Sequence, residues 1–216
     1  MAEVRGERGL GLRERKKRRT RATLIDAAVG LCEQQGFDGT TVDQIAAIAD
    51  VSPRTFSRYF ATKDAIALAL IDEVLDIAAD ELRRQPLDIG HFEALRRSYV
   101  ELALKSKRAP AGALSSDRLL QIVRITFSSA TLRQAAVEFR ASVVDVVMAE
   151  RLGTTVDDRR VRLIAAMWGA FLMTALADLA GDVTSAARIT VDDVVAAFEA
   201  TYTEFAGEIA GVGQPA

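Results

Sequence analysis

Residues 163–181 read LIAAMWGAFLMTALADLAG and are apolar nearly all round. A helix of that kind has no face to offer water, so other helices, a second subunit or lipid must enclose it. Lipid fits poorly. The charge-free run stops before Asp178 after fifteen residues, and a membrane span needs roughly 18–20. The segment is therefore expected in a helical core or between subunits, with no membrane as partner.

The rest of the chain supplies the helices to enclose it. Half of the 216 residues are hydrophobic and only four are proline, a composition that favours helix. The breakers Pro86, Gly90, Pro110 to Gly112, Gly153 and Gly181 divide the sequence. Apolar spacing between them predicts helices over about 13–35, 63–83, 91–107, 116–129, 131–152, 157–180 and 191–208. Two shorter helices fit between the first two, one with Thr40 as N-cap and Asp43 completing a capping box, one starting at Pro53. No strand-like alternation or internal repeat is present. The expected fold is all-α with about nine helices, a small N-terminal head and a larger body.

The last helix carries a seam. Val191, Val195, Phe198, Tyr202, Phe205 and Ile209 step by four and three, the spacing that packs one helix along another. The 157–180 helix offers Ala165, Ala166, Gly169 and Ala170, small enough for close approach. Two such helices per chain predict a homodimer through 157–180 and 191–208, a four-helix bundle on a two-fold axis; packing within one chain is the alternative.

Charge is unevenly spread. Residues 1–21 hold nine basic side chains against three acidic, a surplus of six, which leaves the remainder at −8 for a net charge of −2. A basic arm on an acidic body points to a polyanionic partner or to a solubilising tail. Residues 1–12 are expected to be disordered. They lack the apolar stretch of a secretory signal, so a cytoplasmic location is expected. Cys32 is the sole cysteine; in an apolar helical pattern it reads as a buried thiol.

The stretch VSPRTFSRYFATKD, 51–64, is chemically the richest. Ser52 suits an N-cap and Pro53 the first helical position. Phe56 and Phe60 share a face, with Tyr59 beside them, and anchor the turn. Arg54, Thr55, Ser57 and Arg58 fall on the other side. Two short helices joined by a tight turn and preceded by a longer helix have the layout of a helix-turn-helix unit.

Residues 20–68, TRATLIDAAVGLCEQQGFDGTTVDQIAAIADVSPRTFSRYFATKDAIAL, resemble the TetR/AcrR family of bacterial regulators. The shared features are T-R followed by A-A, then G-F, T-T-V-x-x-I-A, and V-S-x-x-T-F-x-x-Y-F-x-x-K. The resemblance implies a DNA-binding domain over 13–62 and an effector-binding and dimerisation domain over 63–216. It implies a sequence-specific regulator, a repressor that binds a palindromic double-stranded DNA operator as a dimer and is released by a small molecule. An activator or an effector-independent DNA-binding protein would share the same head. By position, Pro53, Arg54, Thr55 and Arg58 would read base edges, an arginine fork matching guanine O6 and N7. Arg21, Thr41, Ser57, Tyr59 and Lys63 would contact phosphates, fixing register without reading sequence. Two positions depart from the family. Ser57 stands where tyrosine is frequent, and Asp50 where glycine is usual; Asp tolerates the positive φ such a turn requires.

The same resemblance implies an effector pocket in the body. Candidate lining residues are Tyr99, Phe127, Phe139, Met148, Met167, Trp168 and Phe171, with plain core as the alternative for each, and Arg124 in LLQIVRITF would either meet an anionic group or stand solvated or ion-paired. The expected effector is apolar, with one acidic end if Arg124 takes part. Catalysis has no foothold. The single histidine, His91, stands at a helix start, and no metal-ligand cluster, phosphate loop or nucleophile–base pair is visible. No cofactor and no enzymatic activity are expected. A helical small-molecule-binding protein or enzyme using the body's pocket is the remote alternative.

Overall fold

The computed structural model describes residues 11–110, 113–138, 142–180 and 189–210. The described residues form ten α-helices and no strand. The chain divides into two compact units, residues 1–66 and 67–216. The expected disordered arm lies almost wholly outside the described residues; Leu12, its last residue, opens the first helix.

The first unit is built by α1 (Leu12–Gln35), α2 (Val42–Ile48), α3 (Pro53–Phe56) and the first residues of α4 (Asp64–Arg84). Leu24, Ala28, Ile45, Ala46, Phe56 and Phe60 are all under 5% exposed and form its core. The α2 cap falls one residue later than the sequence suggested. Thr41 is the N-cap: it accepts from the Gln44 N–H, while the Gln44 side chain reaches back to the Thr41 N–H at 3.0 Å. Thr40 turns inward instead and donates to the Gly36 carbonyl at 2.8 Å. Gln44, three residues after Thr41, completes the capping box in place of Asp43.

The turn after α2 is held by two backbone bonds, Val51 N–H to Ala46 O at 2.9 Å and Asp50 N–H to Ala47 O at 3.2 Å. This is a Schellman closure, which requires a left-handed residue at its corner. Asp50 takes that position with φ +54, the sole non-glycine residue with positive φ among those described. Ser52 then caps α3 through the Thr55 N–H, with Pro53 at the first turn. The α-helix ends at Phe56, and turn structure carries the chain to Tyr59.

The second unit adds the rest of α4, then α5 (His91–Ser106), α6 (Ser116–Ser128), α7 (Ala130–Glu138), α8 (Val143–Leu152), α9 (Arg159–Ala180) and α10 (Val191–Ala210). The single helix expected over 131–152 is two. Ser142 starts α8 with a reciprocal capping box to Asp145, and a serine so placed favours a fresh start over helix interior. Gly153, at φ +63, ends α8. The apolar α9 packs on α10, α6, α8, α5 and α7. By length and composition, Arg159–Ala177 could cross a membrane, with a mean hydropathy of 1.4. Val161, Trp168, Phe171 and Ala175 on it are nevertheless buried inside the body.

Aromatic rings knit α5, α9 and α10. Phe92 stacks on Phe205 with centroids 4.4 Å apart, and Trp168 stacks on Phe171 at 4.5 Å. Much of the predicted α10 seam therefore packs inside its own chain: Val191 and Phe198 are buried, and Tyr202 lies under the Arg96 guanidinium. Ion pairs reinforce the same helices. Buried Glu81 accepts from Lys105 at 2.7 Å and from Arg84 at 2.6 Å, joining α4 to α5. Arg96 joins Glu93 to Glu199.

Candidate functional site

The head's surface is organised by α3. Phe56 and Phe60 are sealed in the core, with ring centroids 5.9 Å apart. Arg54, Ser57 and Arg58 project into solvent, and Thr55 and Tyr59 are half-exposed. The Arg54 and Arg58 guanidiniums take part in none of the hydrogen bonds or ion pairs seen among the described residues. Two guanidiniums one helical turn apart, unneutralised and borne on a rigid corner, form a positive, forked surface suited to guanine edges or phosphates.

The hydroxyls beside them are held locally. Thr55 Oγ1 lies 3.0 Å from Ser52 Oγ, and Ser57 Oγ donates to the Pro53 carbonyl at 3.1 Å. Thr41 is engaged in its capping box. These bonds are exposed, and a phosphate oxygen can replace them. Arg21 is exposed, its guanidinium 5.1 Å from the Phe60 ring centroid. Lys63 differs from the rest. Its ammonium donates to the Phe37 and Thr40 carbonyls, each at 3.0 Å, and approaches the Asp38 carbonyl at 3.4 Å. Cys32, on α1, is half-buried, and burial raises its thiol pKa, which keeps it protonated and inert.

The body holds a partly open cavity of about 760 Å³. Five helices supply most of its apolar wall: Ile71, Val74 and Leu75 from α4, Leu95 and Leu102 from α5, Ile122 and Val123 from α6, Met148 from α8, and Ala165, Gly169 and Leu172 from α9. Val194 and Phe198 of α10 complete it. Of the sequence candidates, Tyr99, Phe127, Met148 and Trp168 line the cavity. Arg124, Met167 and Phe171 do not. The cavity face of α6 runs through Leu119, Ile122, Val123, Thr126 and Phe127, and helical geometry turns position 124 away from that stripe. Phe171 forms a second layer behind the wall, stacked on Trp168. Met167 points off the lining face of α9. Phe139 lies outside the described residues.

The polar groups on the wall were not singled out from sequence: Thr126, Ser142, Asp145, Asp157 and Arg162. Asp157 and Arg162 are exposed residues, and Arg162 is the one cation among the described lining residues. Burial pushes the Tyr99 hydroxyl well above its usual range, and the Asp145 charge adds to the rise, while the Trp168 indole opposes it. Tyr99 is therefore a neutral phenol able to donate. The Trp168 indole N–H lies near it but closes no hydrogen bond of acceptable geometry. A mainly apolar chamber with a few polar groups is the usual form of a small-molecule site.

An exposed, guanidinium-bearing helix-turn-helix on a helical body with an apolar chamber defines a helix-turn-helix DNA-binding regulator. Comparison with known proteins agrees. The profile of bacterial regulatory proteins of the tetR family matches residues 24–70. The transcriptional regulator TcmR of Streptomyces glaucescens is 31% identical over 166 residues, 75% of this chain and 74% of that protein. RutR of Escherichia coli strain K12 is 32% identical over 98 residues, 45% of this chain and 46% of its own length. The crystal structure of Thermus thermophilus FadR, a TetR-family repressor in complex with lauroyl-CoA, shares the fold. Its TM-score is 0.50 at 22% identity, over 85% of this chain and 91% of that one. The chain belongs to the TetR family and is a DNA-binding transcriptional regulator. These relatives are regulators of transcription, not enzymes.

Proposed function

We propose that this regulator is a cytoplasmic repressor that binds a palindromic operator as a homodimer and leaves it when an uncharged, mainly apolar molecule fills the body cavity. The observation that carries this reading is the chamber of about 760 Å³ with a largely aliphatic and aromatic wall. An empty volume of that size forgoes the dispersion contacts a packed core would make, which is a reasonable cost only where a ligand restores them. An acidic end would not meet Arg124, which is off the wall, and the one cation that lines the chamber, Arg162, is itself exposed. Base reading is assigned to Pro53, Arg54, Thr55 and Arg58, and phosphate contact to Arg21, Thr41, Ser57, Tyr59 and Lys63.

Dimerisation is supported by two exposed stripes on adjacent helices. On α9, Leu163, Ala166, Ala170 and Ala177 are exposed at helical spacing, and on α10 so are Ala196, Ala200 and Gly207. Leu163 is 58% exposed. A second copy laid across both stripes would cover them in a four-helix bundle. Helix α4 contributes to the cavity and begins immediately after Lys63, so a ligand that displaces α4 acts on a helix whose first residues belong to the head. The coupling is reciprocal: operator must weaken effector binding by the same factor.

Selection of bound sequences from a random duplex pool at near-physiological salt tests the DNA half. Enrichment of a palindrome is expected; binding without enrichment would overturn the operator assignment. Release of that duplex by neutral apolar compounds, and not by matched carboxylates, tests the effector half.

A further inference from the structure

We propose that Tyr99 is the specificity-determining donor of the chamber: its hydroxyl donates to an uncharged carbonyl oxygen on the effector, while the Trp168 indole N–H donates to the Tyr99 oxygen from behind. The proposal rests on the effector reading of the chamber and adds the chemical class of the effector, an apolar molecule bearing a ketone, ester or amide group.

Both side chains are held firmly. Tyr99, on α5, is 6% exposed and Trp168, on α9, is 4% exposed. Their ring centroids lie 5.2 Å apart, and both residues line the chamber. Trp168 is stacked on Phe171 and met edge-on by Phe92 at 5.1 Å, while Phe198 stands edge-on to Tyr99 at 6.4 Å. What this packing leaves over is hydrogen-bonding capacity. Trp168 Nε1 is buried without a partner, a costly state for an N–H group. An indole only donates, whereas a phenol donates and accepts. The acceptor beside Nε1 is the Tyr99 oxygen. The Tyr99 proton in turn reaches no acceptor among the described residues, and burial keeps that proton on the oxygen.

One ligand oxygen resolves both shortfalls. When it accepts the Tyr99 proton, the phenol is oriented with its lone pairs free for the indole, and each bond of such a chain strengthens the next. Charge decides which oxygen fits. Asp145 Oδ2 accepts from the Ser142 N–H at 2.8 Å and from its hydroxyl at 3.1 Å. Its Oδ1 takes part in no hydrogen bond seen among the described residues. Asp145 lines the same chamber, and its charge acts on the Tyr99 hydroxyl. A ligand carboxylate at Tyr99 would therefore meet a like charge between apolar walls, and a neutral carbonyl would not. The lining cation Arg162 does not offset this, being exposed and about 9 Å along α9 from Trp168.

The experiment titrates the full chain, by calorimetry, with two probes of nearly equal shape, 2-acetylnaphthalene and 2-isopropylnaphthalene. Its readout is the ratio of their affinities, in which changes of packing common to both cancel. Tyr99→Phe is expected to lower the acetyl-to-isopropyl ratio about tenfold, and Trp168→Phe about threefold. An unchanged ratio in Tyr99→Phe overturns the donor assignment, and an unchanged ratio in Trp168→Phe overturns the chain behind it. The unaltered protein gives a reading that needs no variant to fold. It is expected to bind the ketone at least as tightly as the hydrocarbon, although water solvates the carbonyl better; a tenfold preference for the hydrocarbon overturns the proposal. It is also expected to bind 2-naphthoate at least tenfold more weakly than the ketone, a gap that Asp145→Asn narrows. Naphthoate bound as tightly as the ketone overturns the uncharged class. Failure of both neutral probes to bind would overturn the effector reading of the chamber and this proposal with it, whereas binding of both with an unaltered ratio overturns the hydrogen-bond assignment alone.

Discussion

The head carries the side chains proposed to meet DNA outside a small sealed core, whereas the body keeps a volume of about 760 Å³ open within its own. In the head, Phe56 and Phe60 are buried so that Arg54 and Arg58, on the same short segment, have a fixed base from which to project. In the body, Tyr99 and Trp168 are buried to about the same extent, yet they border a space rather than fill it. Equal burial thus serves two ends. A docking surface needs rigidity beneath it, because DNA is read by side chains placed to within a fraction of an ångström. A chamber needs walls that can part and close around a guest, which dispersion contacts across a void permit and a close-packed core does not.

The strongest way to break this contrast is to hollow out the head. Phe56→Ala should cost about 3–5 kcal/mol of head stability, abolish duplex binding in a gel-shift assay, and leave the body able to bind a neutral apolar dye such as Nile red. Loss of dye binding in parallel would show that the two functions do not separate along the chain. A gentler change acts on the surface alone. Arg54→Ala with Arg58→Ala should remove about 1–3 kcal/mol of discrimination per arginine between selected and scrambled duplexes. Melting temperature should stay as in the unaltered protein. Discrimination that survives both substitutions would refute the base-reading assignment.

The chamber can be tested from inside. Gly169 is on its wall, and a Cβ there meets nothing within 4 Å. Gly169→Leu should therefore fit without clash, occupy ligand space and weaken Nile red binding roughly tenfold, about 1.4 kcal/mol. Oligomeric mass by light scattering should not change. If the mass halves while dye binding persists, Gly169 faces the subunit seam and not the chamber. Quenching of Trp168, the chain's sole tryptophan, reports occupancy directly.

The smallest effect concerns the polar lattice outside the aromatic layer. The Arg96 guanidinium hydrogen-bonded to Glu93 holds that carboxyl down at about 2, against an ordinary value of 4.5, with Arg97 assisting. A depressed folded-state pKa means the stabilisation is complete above about 4.5 and is lost as pH falls toward 2. Glu93→Gln should thus melt below the unaltered protein at neutral pH, by roughly 1 kcal/mol after solvent screening. The gap should close on acidification. A gap that stays constant from neutral pH down to 3 would show that the ion pairs add nothing beyond packing.

Much of this was legible beforehand, unevenly. Ser52, Pro53 and the spacing of Phe56 and Phe60 identified the third helix, and Asp50 at the turn signalled a left-handed residue, because caps and turns depend on neighbours within four positions. The missed break between α7 and α8 had a signal in Ser142, a capping residue inside an otherwise helical pattern. The chamber was half legible. Tyr99, Phe127, Met148 and Trp168 were found as large apolar side chains, but Arg124, Met167 and Phe171 shared that description and face elsewhere. Periodicity tells which residues of one helix share a side; it does not tell which neighbouring helix that side will meet.

By itself the sequence determined the all-helical architecture, the helix-turn-helix with its two free arginines, and the family, since each rests on local spacing and on a motif confined to one stretch of chain. Only the tertiary structure decided that much of the α10 seam turns inward to its own chain, that the body holds a mainly apolar chamber whose wall omits Arg124, and that the Lys63 ammonium ends on the carbonyls of Phe37 and Thr40. Those outcomes depend on residues far apart in sequence, 63 with 37 and 92 with 205. No periodicity encodes such a meeting, because it is set by how whole helices settle against one another.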